Sequence, residues 1–451
     1  MKKNGLFVAI FCLLNVFAFS AVNKDIQIYK LKNDIPVYVK SDANSQMTAI
    51  YAVVKGGVTC INPSLSGLEE LVFEMLTKGS QNYSYEDIKS FSYRTHSGVY
   101  SSSINEGSIY GMSCINKYFD ETFEVFADGF FNPLFAPREF ELLMQQNRQN
   151  IQAQMNDPES ILFYYLNLMV YENHPYAAKV SPTPESISNL TLDAVKTYYY
   201  SMLDSKRFSI VCSGNVDTEK LLVLLNKSFG NIPSGSVDFP ETNILPVKIA
   251  GDPVVLVHED ASGAAFVLRA FASPSIKDDD YAAAKITSEI FSDIMSNVVR
   301  EKNGICYTPM SGVVSSVAPF GFEFLYRVTD LKNFISAMND SRVIIEAGNT
   351  IKAIDTEGNY ILEPISDRLQ GYINSYITAK YSSQATVNGI ANRMAGSLLQ
   401  FGDVSYSDML TEKVKSITVQ DVKRVFKKYW IDESSRWFAV VGSADEEKIT
   451  F

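Results

Sequence analysis

Two stretches of this chain carry the same pattern about one domain's length apart, so a single unrepeated fold does not account for it. The first runs Leu190-Thr191-Leu192-Asp193-Ala194-Val195-Lys196, then the aromatic stretch Tyr198-Tyr199-Tyr200, then the apolar run Phe208 to Cys212 and Gly214. The second runs Ile417-Thr418-Val419-Gln420-Asp421-Val422-Lys423, then Tyr429-Trp430, then Trp437 to Val441 and Gly442. Each reads as a Thr-capped helix followed by a buried strand and a turn. Other features pair in the same order. The strand-like entry Thr48 to Lys55 is answered by Ala265 to Phe271, and the helix after Gly67 by a longer one from Tyr281 to Lys302.

Between the copies, residues 232–250 hold Pro233, Ser234, Gly235, Pro240 and Pro246, which suits an exposed linker; an ordinary long loop inside one domain is the alternative. The expected fold is α+β, a tandem repeat of two homologous domains, each a mostly antiparallel sheet with helices packed on one side. The domains are set at 21–231 and 251–451. With 451 residues the chain has ample length for two such cores.

Residues 1–20 read as a secretory signal: Lys2-Lys3, an apolar run from Leu6 to Phe19, and small residues at Ala18 and Ser20 before Ala21. That run is short for a membrane span, so no transmembrane anchor is expected, and the mature protein is expected to be exported, periplasmic or secreted. Removing it takes away two lysines and no acid, leaving the chain more acidic than its net charge of −11. Such a surface repels phosphate backbones, and nucleic acid is not an expected partner. Cys60, Cys114, Cys212 and Cys306 show neither metal-ligand nor redox spacing. Export permits disulfides among them; buried free thiols are the alternative.

The segment Ser66 to Ser80 resembles the zinc helix of the pitrilysin/insulinase family, also called inverzincins, where the pattern is H-x-x-E-H followed by a hydrophobic pair and a Lys-Gly-Ser/Thr turn. The resemblance extends over the mature chain. It takes in Asn156-Asp157-Pro158-Glu159, Glu172-Asn173-His174-Pro175-Tyr176, Pro182-Thr183-Pro184-Glu185-Ser186 and Arg300-Glu301-Lys302-Asn303-Gly304-Ile305-Cys306-Tyr307. It implies a duplicated architecture and, in active members, zinc peptidase chemistry. Such chemistry needs three protein ligands, an open position for water and a base.

Here the two histidine positions are Glu70 and Glu74, and the glutamate position is Phe73, which has no proton-accepting atom. On the helix, Leu68, Leu71, Val72, Met75 and Leu76 form one buried stripe, and Glu70, Phe73 and Glu74 are expected on the opposite face. Glu70 and Glu74 at i, i+4 suit a hard cation at most, and the simpler reading is a solvated acidic face. The third ligand implied by the resemblance falls in the window Gln145 to Asn156, which contains no acid; Glu141 and Asp157 flank it. His96, His174 and His258 are too scattered for a local two-histidine site and are expected to cap, pack or hydrogen-bond. No metal or cofactor is expected. In place of the family's G-x-x-N-A-x-T edge strand stands Gly98-Val99-Tyr100-Ser101-Ser102-Ser103, where backbone pairing with an extended peptide would survive the changes.

Arg300 and Tyr307 stand seven residues apart across a Gly-containing turn. The resemblance gives this pair a substrate-binding role: the guanidinium orients a carbonyl, and the phenol donates to a developing oxyanion. A structural role, with Arg300 on a neighbouring acid and Tyr307 starting a strand, is the alternative. Lost zinc positions beside a kept Arg/Tyr pair are similar to the subunit of heterodimeric family members that serves a zinc-bearing partner. A scaffold or peptide-binding protein of the same fold, and an active metallopeptidase with substituted ligands, are the competing expectations.

Overall fold

The computed structural model describes residues 25–235, 244, 246–431 and 434–451. The signal reading at 1–20, and residues 236–243 and 245 of the 232–250 linker, therefore lie outside the described residues. The first half contains β1 (Ile26–Lys30), β2 (Pro36–Ser41), β3 (Met47–Lys55), α1 (Leu68–Met75), α2 (Tyr85–Thr95), β4 (Gly98–Ile104) and β5 (Gly107–Ile115). It continues through α3 (Phe119–Phe131), α4 (Pro137–Met155), α5 (Pro158–Val170), α6 (Leu192–Met202), β6 (Phe208–Gly214) and α7 (Thr218–Lys227). The second half contains β7 (Val254–Val257), β8 (Ala265–Ala272), α8 (Tyr281–Met295), β9 (Thr308–Val313), β10 (Phe320–Val328), α9 (Phe334–Glu346), β11 (Asn349–Ile354) and β12 (Tyr360–Pro364). After these come α10 (Ile365–Ser383), α11 (Val387–Phe401), α12 (Tyr406–Lys415), α13 (Val419–Val425) and β13 (Ser435–Val441).

The repeat is exact in topology. The first sheet has the order β1-β2-β6-β3-β5-β4 and the second β7-β13-β8-β10-β9, so each strand from β2 to β6 has a counterpart in the second half. In both sheets the last strand in the chain runs parallel to the first of the shared set and antiparallel to the second. The repeated Thr residues act as expected. Thr191 Oγ1 accepts the Ala194 N–H at 3.1 Å, and Thr418 forms a reciprocal capping box with Asp421. The helix expected to run unbroken from Tyr281 to Lys302 is α-helical to Met295 and then π-helical over Ser296–Lys302.

Each half packs its own helices on one sheet face. Alternation along β3 assigns Ile50, Ala52 and Val54 to the first half's core with α1, α3 and α6. The opposite face is also covered, which the sequence did not show. Ala49, Tyr51 and Val53 of β3 pack against Ala391, Met394, Ala395 and Leu398 of α11, a helix of the second half. Conversely, Leu162, Leu166 and Val170 of α5 pack against Phe266, Leu268 and Ala270 of β8 and Phe438 and Val440 of β13. The halves thus exchange helices, which is why Ala49 to Val54 of β3 and, apart from Arg269, β8 are apolar on both faces instead of alternating. Hydrogen bonds join the same boundary: Tyr171 OH donates to Ala318 O at 2.8 Å, Ser316 Oγ to Glu106 Oε1 at 3.4 Å, and Tyr51 OH to Asn388 O at 3.2 Å.

Leu398→Ala on α11 is expected to cost about 3 kcal/mol and, because it loosens the first half's sheet, to shift one shared unfolding transition. Circular dichroism and tryptophan fluorescence during thermal unfolding check this. Both tryptophans, Trp430 and Trp437, report on the second half, so an early loss of helix with an unmoved fluorescence transition would contradict it.

Candidate functional site

Gly67, at φ 90°, turns the chain into α1, whose backbone is tied to the segment after α5 by the Gly67 N–H to Lys179 O bond at 3.0 Å. Docking against the sheet buries Leu68, Leu71, Val72, Met75 and Leu76, as the stripe requires. Phe73 departs from expectation: it is fully buried within the same core, not on an open face with Glu70 and Glu74. Its position borders the apolar stripe, and an aromatic ring there gains more from the core than from water. The position that a proton-accepting base would need is filled with hydrocarbon.

Glu70 and Glu74 are half-buried, so the solvated acidic face also needs correction. Glu70 Oε1 accepts from Ser181 Oγ at 3.1 Å, and burial pushes its carboxyl up to about 7, with the neighbouring Glu74 adding to the rise. Burial raises Glu74 too, against the pull of Lys78. Gln145 to Asn156 lies along the C-terminal half of α4, mostly exposed. Among the described residues no group of three His, Cys, Asp or Glu side chains is placed to hold a metal ion. With two half-buried carboxylates and a phenyl ring, this site does not fit the zinc that the helix pattern would carry.

The histidines serve local structure. His96 ends α2 in the left-handed conformation, His174 Nδ1 accepts the Tyr176 N–H at 3.0 Å, and His258 Nδ1 accepts the Asp260 N–H at 3.2 Å. The four described cysteines are free thiols, with Cys60 exposed and the others buried.

A buried polar cluster beside the site was not visible in the sequence. Glu69, adjacent to Glu70 but turned inward, accepts from Ser108 Oγ at 2.6 Å and from Tyr198 OH, with Arg207 Nη2 at 3.7 Å. Arg207 Nε in turn donates to Lys55 O at 2.8 Å. Only the aromatic stretch containing Tyr198 hinted at it; a lone Glu beside another Glu carries no sign of which one is buried.

In the second half, the π-helical turn brings Arg300 over Tyr307, its guanidinium carbon 5.3 Å from the ring centroid. Both side chains are open to solvent, Arg300 at 47% and Tyr307 at 64%. The features of the structural alternative are present as well: Arg300 Nε lies 3.4 Å from Glu301, and β9 begins one residue after Tyr307. The intervening Cys306 is buried, and its thiol is pushed up to about 12, which keeps it protonated at neutral pH.

Two sequence models of one family match this chain: Insulinase (Peptidase family M16) over residues 36–183 and Peptidase M16 inactive domain over residues 189–341. The chain is 22% identical over 287 residues to the probable mitochondrial-processing peptidase subunit beta of Schizosaccharomyces pombe, a match spanning 62% of this chain and 62% of that protein. Its fold is similar to the peptidase M16 inactive domain structure from Pseudomonas fluorescens, with a TM-score of 0.77 at 16% identity over 93% of this chain and 98% of that one. A protease from Helicobacter pylori superposes with a TM-score of 0.78 at 17% identity, over 92% and 99% of the two chains. The fold is therefore that of a two-domain peptidase-like protein of the M16 type. The chain belongs to the insulinase family, peptidase family M16.

Because folding raises the Glu70 carboxyl from an ordinary value of about 4.3, its favourable contribution is fully present below that value and is lost as pH rises through about 7. Glu70→Gln is expected to raise the unfolding temperature at pH 8 by on the order of 2 °C and to leave it unchanged near pH 4. Calorimetric scans at the two pH values check this; an equal shift at both would contradict it.

Proposed function

We propose that this protein is an exported, non-catalytic subunit of an insulinase-type zinc peptidase, whose Arg300 and Tyr307 reach into the active site of a zinc-bearing partner of the same family. The observation that carries the reading is the asymmetry between the halves: a fully buried phenyl ring at the base position of α1, against a solvent-facing Arg–Tyr stack at the entry to β9. An exposed guanidinium held over a phenol is arranged to grip a peptide carbonyl and to donate to the oxyanion that forms on it. The partner supplies the metal and its water.

A second reading, a protein that binds extended peptides and cleaves nothing, is favoured by the sheet edges. On β9, Pro309 has no N–H and the Ser311 N–H is taken by Ser292 Oγ at 2.8 Å, which blunts that edge. β4 ends the first sheet with seven residues, none of them proline, and no described strand pairs with its outer side. Its backbone suits β-augmentation by an extended peptide.

The test is co-expression with a family member that retains H-x-x-E-H, followed by peptide cleavage assays on the purified complex. Replacing Arg300 with Ala and Tyr307 with Phe together is expected to lower kcat by about 10²-fold or more while the complex stays intact on gel filtration. Unchanged cleavage in an intact complex would refute the subunit role, and peptide affinity of the isolated chain without any such complex would favour the second reading.

A further inference from the structure

Beyond the reach of α5, the second sheet leaves an apolar strip open beside the Arg300–Tyr307 stack. Side chains alternate across β9 and β10, so Thr308, Met310 and Gly312 share one face with Phe322, Phe324 and Tyr326. This is the face on which α5 packs, and Phe163 of α5 meets the Phe324 ring edge-on at 5.3 Å. The cover ends there. Met310, the cross-strand partner of Phe324, is 40% exposed, and Phe322 and Tyr326 are half-buried.

The equivalent face of the first sheet is closed out to its edge. There Tyr100 of β4, the counterpart of β9, donates to Asn388 Oδ1 of α11 at 3.3 Å and stands edge-on to Tyr51 with ring centroids 5.5 Å apart. On β9 the corresponding cover stops short, and Met310 faces solvent.

The open strip is joined to the stack. Tyr307 donates its backbone N–H to Tyr326 O at 3.0 Å, and the two rings meet edge-on with centroids 6.3 Å apart. Phe266 of β8 stands 5.2 Å behind Tyr326 and fixes that ring. At the other end Phe322 lies across Gly312, where a Cβ would come 2.5 Å from the ring. Because Pro309 has no N–H and the Ser311 N–H is taken by Ser292 Oγ, β9 offers an incoming chain its side chains and little of its backbone.

Rings and a thioether held in place at the surface are stabilised when apolar matter covers them. We propose that Met310, Phe322 and Tyr326 form a subsite for an apolar side chain, aromatic or long aliphatic, of the peptide that Arg300 and Tyr307 grip. The inference rests on that substrate-binding reading and names its substrate class: extended peptides with an apolar residue close to the scissile bond.

The experiment is nuclear magnetic resonance of the full chain by itself with isotopically labelled methionine methyl groups, the Met310 signal being identified by its loss in Met310→Leu. An unstructured peptide with a single phenylalanine is titrated in, and then the same peptide with serine in that place. A saturable shift of the Met310 methyl is expected with the first peptide and none with the second, and Tyr326→Ser is expected to weaken the apparent affinity about tenfold. No Met310 shift, equal shifts with both peptides, or an undiminished response in Tyr326→Ser would overturn the proposal. Should that variant fail to fold, a nuclear Overhauser contact between the Met310 methyl and the peptide's phenyl ring decides: its presence supports the subsite and its absence overturns it. Failure of the subunit reading shows separately, as unchanged cleavage by an intact complex carrying Arg300→Ala and Tyr307→Phe.

Discussion

The exchange of α5 and α11 between the two halves is the contact on which the rest of the molecule depends. Each sheet has two apolar faces, and its own helices cover only one of them. Without α11, Ala49, Tyr51 and Val53 of β3 would meet water; without α5, Phe266, Leu268 and Ala270 of β8 would. Neither half is therefore a closed core by itself. The tandem behaves as one body, and the geometry between α1 in the first half and Arg300 and Tyr307 in the second is fixed by hydrophobic burial instead of by a flexible linker.

Within that shared body the two halves have diverged in what they present. The first keeps the docking of the metal helix, with its buried stripe and the Glu69, Tyr198 and Arg207 cluster behind it, while its outward residues no longer suit zinc. The scaffold around the helix is thus maintained by contacts that have nothing to do with catalysis. In the second half, the π-helical turn after α8 carries Arg300 onto Tyr307 at the surface. Phe73 is thus enclosed in the first half while Tyr307 stands open to solvent in the second.

Much of this was legible in the residues, and what was not has identifiable causes. Thr191 and Thr418 marked equivalent helix starts because a hydroxyl at an N-cap satisfies a backbone N–H whatever the surroundings. The runs at β3 and β8 could be read as strands because they are short, apolar and rich in β-branched or aromatic side chains. The helix exchange could not be read, since an apolar helix face does not say which sheet it covers. Phe73 was misplaced for a related reason: at the margin of a stripe, periodicity leaves the choice between core and surface to the side chain's own chemistry. Glu69 and Glu70 are the same letter in adjacent positions, and only the third dimension separates a fully enclosed carboxylate from a half-buried one. Spacing brought Arg300 and Tyr307 together as a pair, but their stacking and exposure follow from a π-helical turn that propensity does not signal.

We propose that this chain serves a metallopeptidase without holding the metal itself. Metal analysis of the purified chain, alone and in complex with an H-x-x-E-H-bearing relative, tests it most directly. No stoichiometric zinc is expected in the isolated chain, even after incubation with excess zinc and desalting, and one zinc is expected per heterodimer in the complex. One zinc per isolated chain, lost together with peptidase activity when Glu70 and Glu74 are replaced by Gln, would contradict it.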